Sequence, residues 1–298
     1  MFGISKKRIF VPLIKPNIKK EFLQKILEHS KCVAFNYYEL QKQKSIFYKV
    51  KKGGLHDSFR IPNTHKILLT STAPDNYLLF DLFNKNCKKF KKDVLDIDPD
   101  YFMGPDLLTY KDLLNSNNNF FVNEAIKFGL ECINIDGFIP NIHGNNDSQR
   151  ERYIETFKQI GYKDFILTGR EYIMNLKGRI NDEKILAYIL KKLKNKYNIN
   201  LLVTGPSTPR QHKIFSYVDG FIGLGYYTCA MGRIIFDNYK TIHIPSHPNF
   251  RCFNSCCRGL NAVSLSSPEN DSTRIIHNLS TINRVLNIPP KEVQMYLN

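Results

Sequence analysis

The sequence lacks any apolar run near the ~20 residues that a helix needs to span a bilayer. Residues 1–20 carry scattered charges and do not contain the apolar stretch of a signal peptide. We therefore expect no membrane segment. The predicted location is the cytoplasm, or the host cytoplasm if a phage encodes the protein.

Two classes of nucleotide-binding motif are also missing. Neither a Gly-rich dinucleotide fingerprint nor a P-loop occurs, which argues against a nucleotide-binding doubly wound fold. The chain has no long Gly/Ser/Pro linker, internal repeat or low-complexity tract. Any inserted segment is therefore expected to belong to the main domain.

Acidic residues are scarce. The chain has 27 Asp and Glu against 43 Lys and Arg, which gives a formal net charge of +16. Such an excess favours a polyanionic partner and predicts nucleic-acid binding that weakens with salt. The alternative is coding bias, because a chain rich in Lys, Asn and Ile is typical of an AT-rich genome.

Strand-like and helical segments alternate from about residue 65 onward, which implies parallel βαβ units. The predicted strands are Ile67–Thr70, Tyr101–Met103, Cys132–Asp136, Asp164–Leu167, Leu201–Val203 and Tyr217–Ile222. At least six such units in series favour a (β/α)₈ TIM-type barrel over an open sheet. We assign residues 61–298 to this barrel and residues 1–60 to an N-terminal cap or extension.

Polar residues follow most of these strands. In such barrels the catalytic groups collect at the carboxyl ends of the strands. The candidates there are Ser71 with Asp75 nearby, Asp106, Asn141, Gly169, Gly205 and Asp219. Two or three carboxylates around the carboxyl-end opening of a barrel can provide nucleophilic or acid–base chemistry at a glycosidic carbon. Any single Asp among them is equally typical of a helix N-cap.

Three of the seven cysteines are clustered, and a histidine follows them. Cys252, Cys256, Cys257 and His277 can supply three thiolates and an imidazole, the donors of a closed structural Zn²⁺ site. In a cytosolic chain this cluster indicates metal rather than disulfides. Because Cys256 and Cys257 are adjacent, one of them can be spare. We predict a zinc-binding insertion near the C-terminus, over residues 247–280.

The order of these features resembles the tRNA-guanine transglycosylases, zinc-bearing (β/α)₈ barrels that exchange guanine for a 7-deazaguanine base. The resemblance covers roughly residues 60–290. It rests on Met103-Gly-Pro-Asp106, on the segment from Cys252 to Cys257, and on His277-Asn278-Leu279. It implies that Asp219 is the nucleophile and that Asp106 and Asn141 bind the purine edge. Gly169 and Gly205 are similar to walls of the base pocket.

One position departs from the family pattern. Ser71 stands where the family has an Asp that acts as general acid and base, and Asp75 is the candidate replacement. A basic, divergent chain is most similar to the DNA-acting branch, the DpdA-type DNA 7-deazaguanine transglycosylases of phages and bacteria. DNA is therefore favoured over tRNA as the partner.

Three alternatives stay open. The first is the same base exchange on tRNA. The second, suggested by Ser71, is a non-catalytic zinc-stabilised nucleic-acid-binding subunit. The third is an unrelated zinc hydrolase, which would need metal ligands at the strand ends, where His143 is the only histidine we place.

Overall fold

A computed structural model describes residues 8–72, 80–104, 106, 115–169 and 183–287. Asp75 lies outside the described residues. Over the described part, no helix is both long enough and apolar enough to cross a membrane.

The described strands form a parallel sheet that curls into a nearly closed barrel. Its nine strands follow the order β5-β4-β3-β2-β1-β9-β8-β7-β6 among the described residues. They are β1 Ile9–Ile14, β2 Cys32–Asn36, β3 Lys66–Thr70, β4 Tyr101–Met103, β5 Phe138–Ile139, β6 Asn141–Ile142, β7 Asp164–Thr168, β8 Asn200–Thr204 and β9 Gly220–Gly223. The two end strands, β5 and β6, are separated only by Pro140, whose carbonyl accepts a hydrogen bond from the Ile166 amide. One interrupted strand therefore joins the two edges.

Helices cover the outside of the sheet. They are α1 Lys20–His29, α2 Tyr37–Lys42, α3 Lys44–Phe59, α4 Phe80–Ile97, α5 Asn115–Cys132, α6 Asp147–Gln159, α7 Glu183–Tyr197, α8 Pro209–Ile214, α9 Gly225–Met231, α10 Ala262–Ser266 and α11 Asp271–Leu286. Helix α8 shows how the sequence starts such an element. Thr208 and Gln211 form a reciprocal capping box, and Pro209 occupies the first turn.

The barrel interior is packed with one apolar side chain from each strand, counting β5 and β6 together. This layer is Val11, Ala34, Leu68, Met103, Ile139, Ile166, Leu202 and Ile222. A larger apolar cluster lies between the sheet and the helices. Because side chains alternate along a strand, the next inward position toward the carboxyl end is two residues further on. Those positions form the upper layer of the barrel.

Two sequence predictions are corrected here. Residues 1–60 are not a cap outside the barrel, because β1 and β2 lie in the middle of the sheet. The segment Cys132–Asp136 is not a strand. Its first residue ends α5, and the strand at this place is the Pro140-interrupted pair β5 and β6. Proline normally argues against a strand because it donates no ladder hydrogen bond, and here it sits at the interruption.

A small lobe is inserted between α9 and α11, and we call residues 233–266 the Cys lobe. It contains the antiparallel pair β10 Ile234–Asp237 and β11 Lys240–His243, and it has an apolar cluster of its own. Asn278 of α11 ties the lobe to the barrel. Its side-chain oxygen accepts from the Phe236 amide, and its side-chain nitrogen donates to the carbonyls of Ile234 and Tyr226.

Candidate functional site

The carboxyl end of the barrel carries a layer of amides and hydroxyls. Asn36, Thr70, Thr168 and Thr204 each lie two residues beyond an interior apolar residue of the same strand, and Asn141 lies two residues beyond Ile139. Asn36 pairs in register with Thr70, and Thr168 with Thr204. We call this polar layer the mouth.

On the β2–β3 side of the mouth the polar groups are satisfied. The Asn36 side chain donates to the Thr72 carbonyl at 2.8 Å and accepts from the Glu39 amide at 3.1 Å. Thr70 donates to the Phe35 carbonyl, and Ser71 donates to the Gly104 carbonyl. Ser71 is buried, so its hydroxyl links the ends of β3 and β4.

On the β6–β8 side the polar groups are left without partners. Asn141 is 1% exposed. Both its amide oxygen and its amide nitrogen lack a hydrogen-bond partner among the described residues. The same holds for the buried hydroxyls of Thr168 and Thr204. Buried polar atoms are normally paired, and leaving one unpaired costs about 1–3 kcal/mol. Four such atoms on three neighbouring strands indicate a place for a polar ligand or ordered water.

Gly169 and Gly205 flank this side of the mouth. The Gly169 amide donates to the Thr204 carbonyl, and a Cβ on Gly169 would approach that oxygen to 3.0 Å. Gly205 has a φ of 109°, a conformation that glycine adopts without strain. Close packing of the strand ends therefore accounts for Gly169, and the backbone conformation accounts for Gly205.

Asp106 is the carboxylate that the structure describes just beyond β4, and it is buried. Two other residues near the mouth serve packing. Tyr226 is fully buried against Phe10, and its hydroxyl donates to the Leu13 carbonyl. His212 is stacked on Phe221, and burial lowers its pKa to about 3. His212 is therefore neutral at physiological pH.

Asp219 lies at the opposite end of the barrel from the mouth. The predicted strand Tyr217–Ile222 begins only at Gly220, so Asp219 precedes β9. Its carboxylate accepts from Lys194 Nζ at 2.8 Å and from the Leu201 amide at 2.7 Å. The prediction that Asp219 stands at the carboxyl end of a strand is wrong. The apolar run Tyr217-Val218 looked like part of the strand, whereas it forms the turn that enters it.

The inward residue of β9 nearest the mouth is Ile222, which is buried in the interior layer. Sequence reasoning did not single it out, because an isoleucine within a strand carries no chemical signal. The polar hydroxyls of Thr168 and Thr204 were also missed as candidates. Their signal was available, since both residues end strands two positions beyond an apolar inward residue.

Three of the four predicted metal ligands come together where the Cys lobe meets α11. The donor atoms of Cys252, Cys257 and His277 all lie within 4.8 Å of one another. His277 Nδ1 is 3.3 Å from Cys252 Sγ and 3.2 Å from Cys257 Sγ. Two donors bound to one tetrahedral Zn²⁺ at about 2.0 and 2.3 Å lie roughly 3.5 Å apart. Among the described residues these three form the group that could hold a metal ion.

The surroundings fit a metal site. His277 Nε2 is 2.7 Å from the Phe236 carbonyl, which fixes a proton on Nε2. Nδ1 therefore faces the two thiols and is the ring atom that can bind a metal. Hydrogen bonding with Cys257 lowers the pKa of Cys252 to about 4, so this thiol is held as a thiolate. Burial lowers the pKa of His277, but hydrogen bonds with the thiols outweigh burial and raise it to about 10. Without a metal the cluster therefore pairs the Cys252 thiolate with a protonated His277, and a bound cation would take the place of that proton.

Cys256 is half-buried beside this group. Its Sγ lies 3.7 Å from Cys257 Sγ, but it is not part of the group of three. Cys256 is thus the available fourth donor, and the structure leaves it at the edge of the site.

No protein-family model and no curated protein matches this sequence. The resemblance to the transglycosylases therefore stays a prediction. What the structure adds is a barrel-like fold, a polar mouth and a Cys–His cluster.

Proposed function

We propose that this chain is a zinc-stabilised, nucleic-acid-binding barrel that holds an unpaired base at its mouth and performs no covalent step on Asp219. The observation that carries the proposal is Asn141 at the carboxyl end of the barrel, whose buried amide has no hydrogen-bond partner for either polar atom among the described residues. This corresponds to the non-catalytic alternative raised by the sequence.

A planar heterocycle is the ligand class that suits such an amide. A carboxamide offers one acceptor and two donors in one plane, and it can bond two adjacent atoms of a base edge. The unpaired hydroxyls of Thr168 and Thr204 can each donate or accept one more hydrogen bond. Guanine and a 7-deazaguanine are the bases that the family resemblance implies.

The net charge supports a nucleic acid as the source of that base. At +16 the chain attracts phosphates, and a base can reach a barrel mouth only after leaving its stack. DNA is favoured over tRNA on the resemblance, and the comparison of the two polymers is part of the test. The predicted cytoplasmic location also stays a prediction.

The absence of an Asp219-dependent step follows from the contacts of that side chain. A nucleophile must reach the sugar carbon next to the bound base. Asp219 is held at the amino end by Lys194 and the Leu201 amide, with the interior apolar layer between it and the mouth. Its environment matches that of a structural ion pair.

A second candidate is base exchange by the carboxylates of the mouth, Asp106 with Asp75. It is favoured by the burial of Asp106 just beyond β4. In that case one carboxylate attacks the sugar while the other protonates the leaving base.

Zinc is the proposed ion of the Cys–His cluster because two thiolates and an imidazole are its usual donors. When bound, the ion would crosslink the loop that carries Cys252 and Cys257 to His277 of α11. Cys256 would complete the set of four. We expect chelation at neutral pH to unfold the Cys lobe while the barrel keeps its helices, as measured by zinc release and circular dichroism.

The test combines binding with label exchange. The full chain, with its metal content measured, is incubated with radiolabelled guanine and either duplex DNA or tRNA, alongside the variants Asn141→Ala, Asp219→Asn and Asp106→Asn. We expect the chain to bind the nucleic acid, Asn141→Ala to weaken that binding about 10-fold or more, and no label to be incorporated. Incorporation that Asp106→Asn abolishes would establish the second candidate. Incorporation that Asp219→Asn abolishes without loss of stability would refute the proposed function.

A further inference from the structure

Phe253 is an exposed aromatic residue in the Cys lobe, with 86% of its surface accessible. It follows Cys252, whose side chain is buried in the Cys–His cluster. A phenylalanine side chain that stays in water forgoes about 2 kcal/mol of burial. Single exposed apolar residues are common on proteins, so exposure alone assigns no role to Phe253. The fixed backbone and the positive charges around Phe253 set it apart from such residues.

The loop under Phe253 is fixed at several points. Arg251 and Asn261 form an isolated antiparallel bridge, and the Cys252 amide donates to the Leu260 carbonyl at 3.0 Å. At the tip, the Cys257 amide donates to the Asn254 carbonyl at 2.8 Å. The loop is therefore closed at its base and turned at its tip, and it presents the ring with little backbone entropy to lose on binding.

The charges around the ring are of one sign. Arg251 and Arg258 are both exposed, and neither forms an ion pair within the described part of the chain. Over the whole Cys lobe the basic residues are Arg233, Lys240, Arg251 and Arg258, and the one acidic residue is Asp237. An aromatic face flanked by free guanidinium groups suits a polymer that offers both base faces and phosphates.

We propose that the loop from Arg251 to Arg258 is a stacking platform for single-stranded nucleic acid, separate from the mouth. The Phe253 ring stacks on an unpaired base, while Arg251 and Arg258 contact the flanking phosphates. This inference rests on the nucleic-acid partner of the proposed function and gives that partner a second contact. The stacking platform is expected to bind without sequence preference, because every base has a stacking face.

The experiment measures fluorescence anisotropy of a fluorescein-labelled 15-nucleotide oligothymidylate with the full, metal-loaded chain. Phe253→Ala is expected to weaken binding about 10-fold, the effect of losing one base–aromatic stack. Phe253→Tyr is expected to retain binding within about twofold, since the aromatic face is kept. Arg251→Ala and Arg258→Ala should each reduce the magnitude of the slope of log affinity against log salt concentration by about 0.7, the value of one phosphate contact on a single strand.

Two matched controls separate stacking from general surface effects. Val263→Ala removes another exposed apolar side chain of the same lobe, and Tyr48→Ala removes an exposed aromatic beside lysines on α3. Neither control is expected to change the affinity by more than about twofold. Zinc content and thermal unfolding of each variant verify that the Cys lobe is intact.

The outcomes distinguish this inference from the proposed function. If the wild-type chain binds but Phe253→Ala binds equally well, the stacking platform is refuted and the proposed function stands. Equal loss in Tyr48→Ala would also refute it. A change from dimer to monomer in Phe253→Ala with unaltered binding would assign the ring to self-association instead. If the wild-type chain binds no nucleic acid, both proposals fail.

Discussion

The amino end of the barrel and the β6–β8 side of its mouth differ in how their polar side chains are paired. At the amino end, Asp100 accepts hydrogen bonds from His56, Lys66 and the Ile67 amide, Asp164 accepts from Asn200, and Asp219 accepts from Lys194. At the mouth, four buried polar atoms of Asn141, Thr168 and Thr204 find no partner within the part of the chain that the structure describes. Paired groups stabilise a fold, whereas unpaired buried groups lower its stability and are retained where a ligand completes them. The amino end is thus built for stability and the mouth for binding.

The largest effect expected from this contrast is at Asp100. Asp100→Ala leaves the partly buried His56 ring and Ile67 amide without their acceptor, while the exposed Lys66 returns to water. We expect a loss of about 3 kcal/mol in the free energy of unfolding. Urea denaturation measures it. Asp136→Ala, at an exposed carboxylate in the turn before β5, is the matched control and should stay within about 0.5 kcal/mol. Equal effects in the two variants would contradict a special role for the amino end.

The same site predicts a pH dependence. Burial raises the pKa of Asp100, but hydrogen bonds from Lys66 and His56 outweigh burial and hold the pKa below its usual range. A depressed carboxyl pKa contributes stability that is complete above about pH 4 and is lost as the pH falls through the depressed pKa. Asp100→Ala should therefore flatten the acid side of the stability curve, which urea titrations between roughly pH 2 and pH 7 would show.

The next largest effect is at Asp219. Asp219→Ala removes the partner of Lys194 and of the Leu201 amide, and a loss of about 2 kcal/mol in the free energy of unfolding follows. Nucleic-acid binding at a permissive temperature should be unaltered, because the mouth is at the other end. The contrast between the ends breaks down if Asp219→Ala keeps full stability yet loses an activity.

A smaller effect of opposite sign is expected at Asn141. Asn141→Leu replaces an unpaired buried amide with an apolar side chain of similar size, and we expect about 1 kcal/mol of stabilisation. Base binding at the mouth should be lost at the same time. Paired measurements of unfolding and of guanine binding check this. A destabilisation of 2 kcal/mol or more would mean that ordered water satisfies the amide in solution.

The smallest effect is at Thr204. Thr204→Val removes one unpaired hydroxyl and keeps the branched shape of the side chain, so stability should change by no more than about 0.5 kcal/mol. Affinity at the mouth should fall by a few-fold. Thr70→Val is the informative control, because the Thr70 hydroxyl already donates to the Phe35 carbonyl and its removal should destabilise the barrel.

Much of the fold could be predicted from apolar periodicity. The strands near Ile67, Tyr101, Asp164 and Leu201 lie where their apolar runs predict them. The barrel-like closure followed from the number of βα units. What periodicity could not supply was the position of β9, since Val218 extends the apolar run by a residue that belongs to a turn. Periodicity also could not predict β5 and β6, because Pro140 between them divides the strand into two pieces of two residues each.

The candidate site was harder to predict from the sequence than the fold. Cys252, Cys257 and His277 were predicted as ligands and come together in one group. Asn141 was predicted at the carboxyl end of the barrel and lies there, and its role in binding stays a prediction. Asp219 was misplaced, because a carboxylate within an apolar run fits either end of a strand. A shift of three residues decides which end it occupies. Whether a glycine such as Gly169 serves a ligand or close strand packing is likewise decided by three-dimensional contacts.

The interruption at Pro140 divides the barrel into two half-barrels, one from β1 to β5 and the other from β6 to β9. Within each half, sheet neighbours follow one another along the chain, so each half can assemble from local contacts. The pairing of β1 with β9 joins the first strand to the last and closes a loop that spans most of the chain. The two halves must therefore associate through β1 and β9 for the barrel to form. We expect the pairing of β1 with β9 to form after the local pairs of each half, so that the mouth is complete only when these two strands meet.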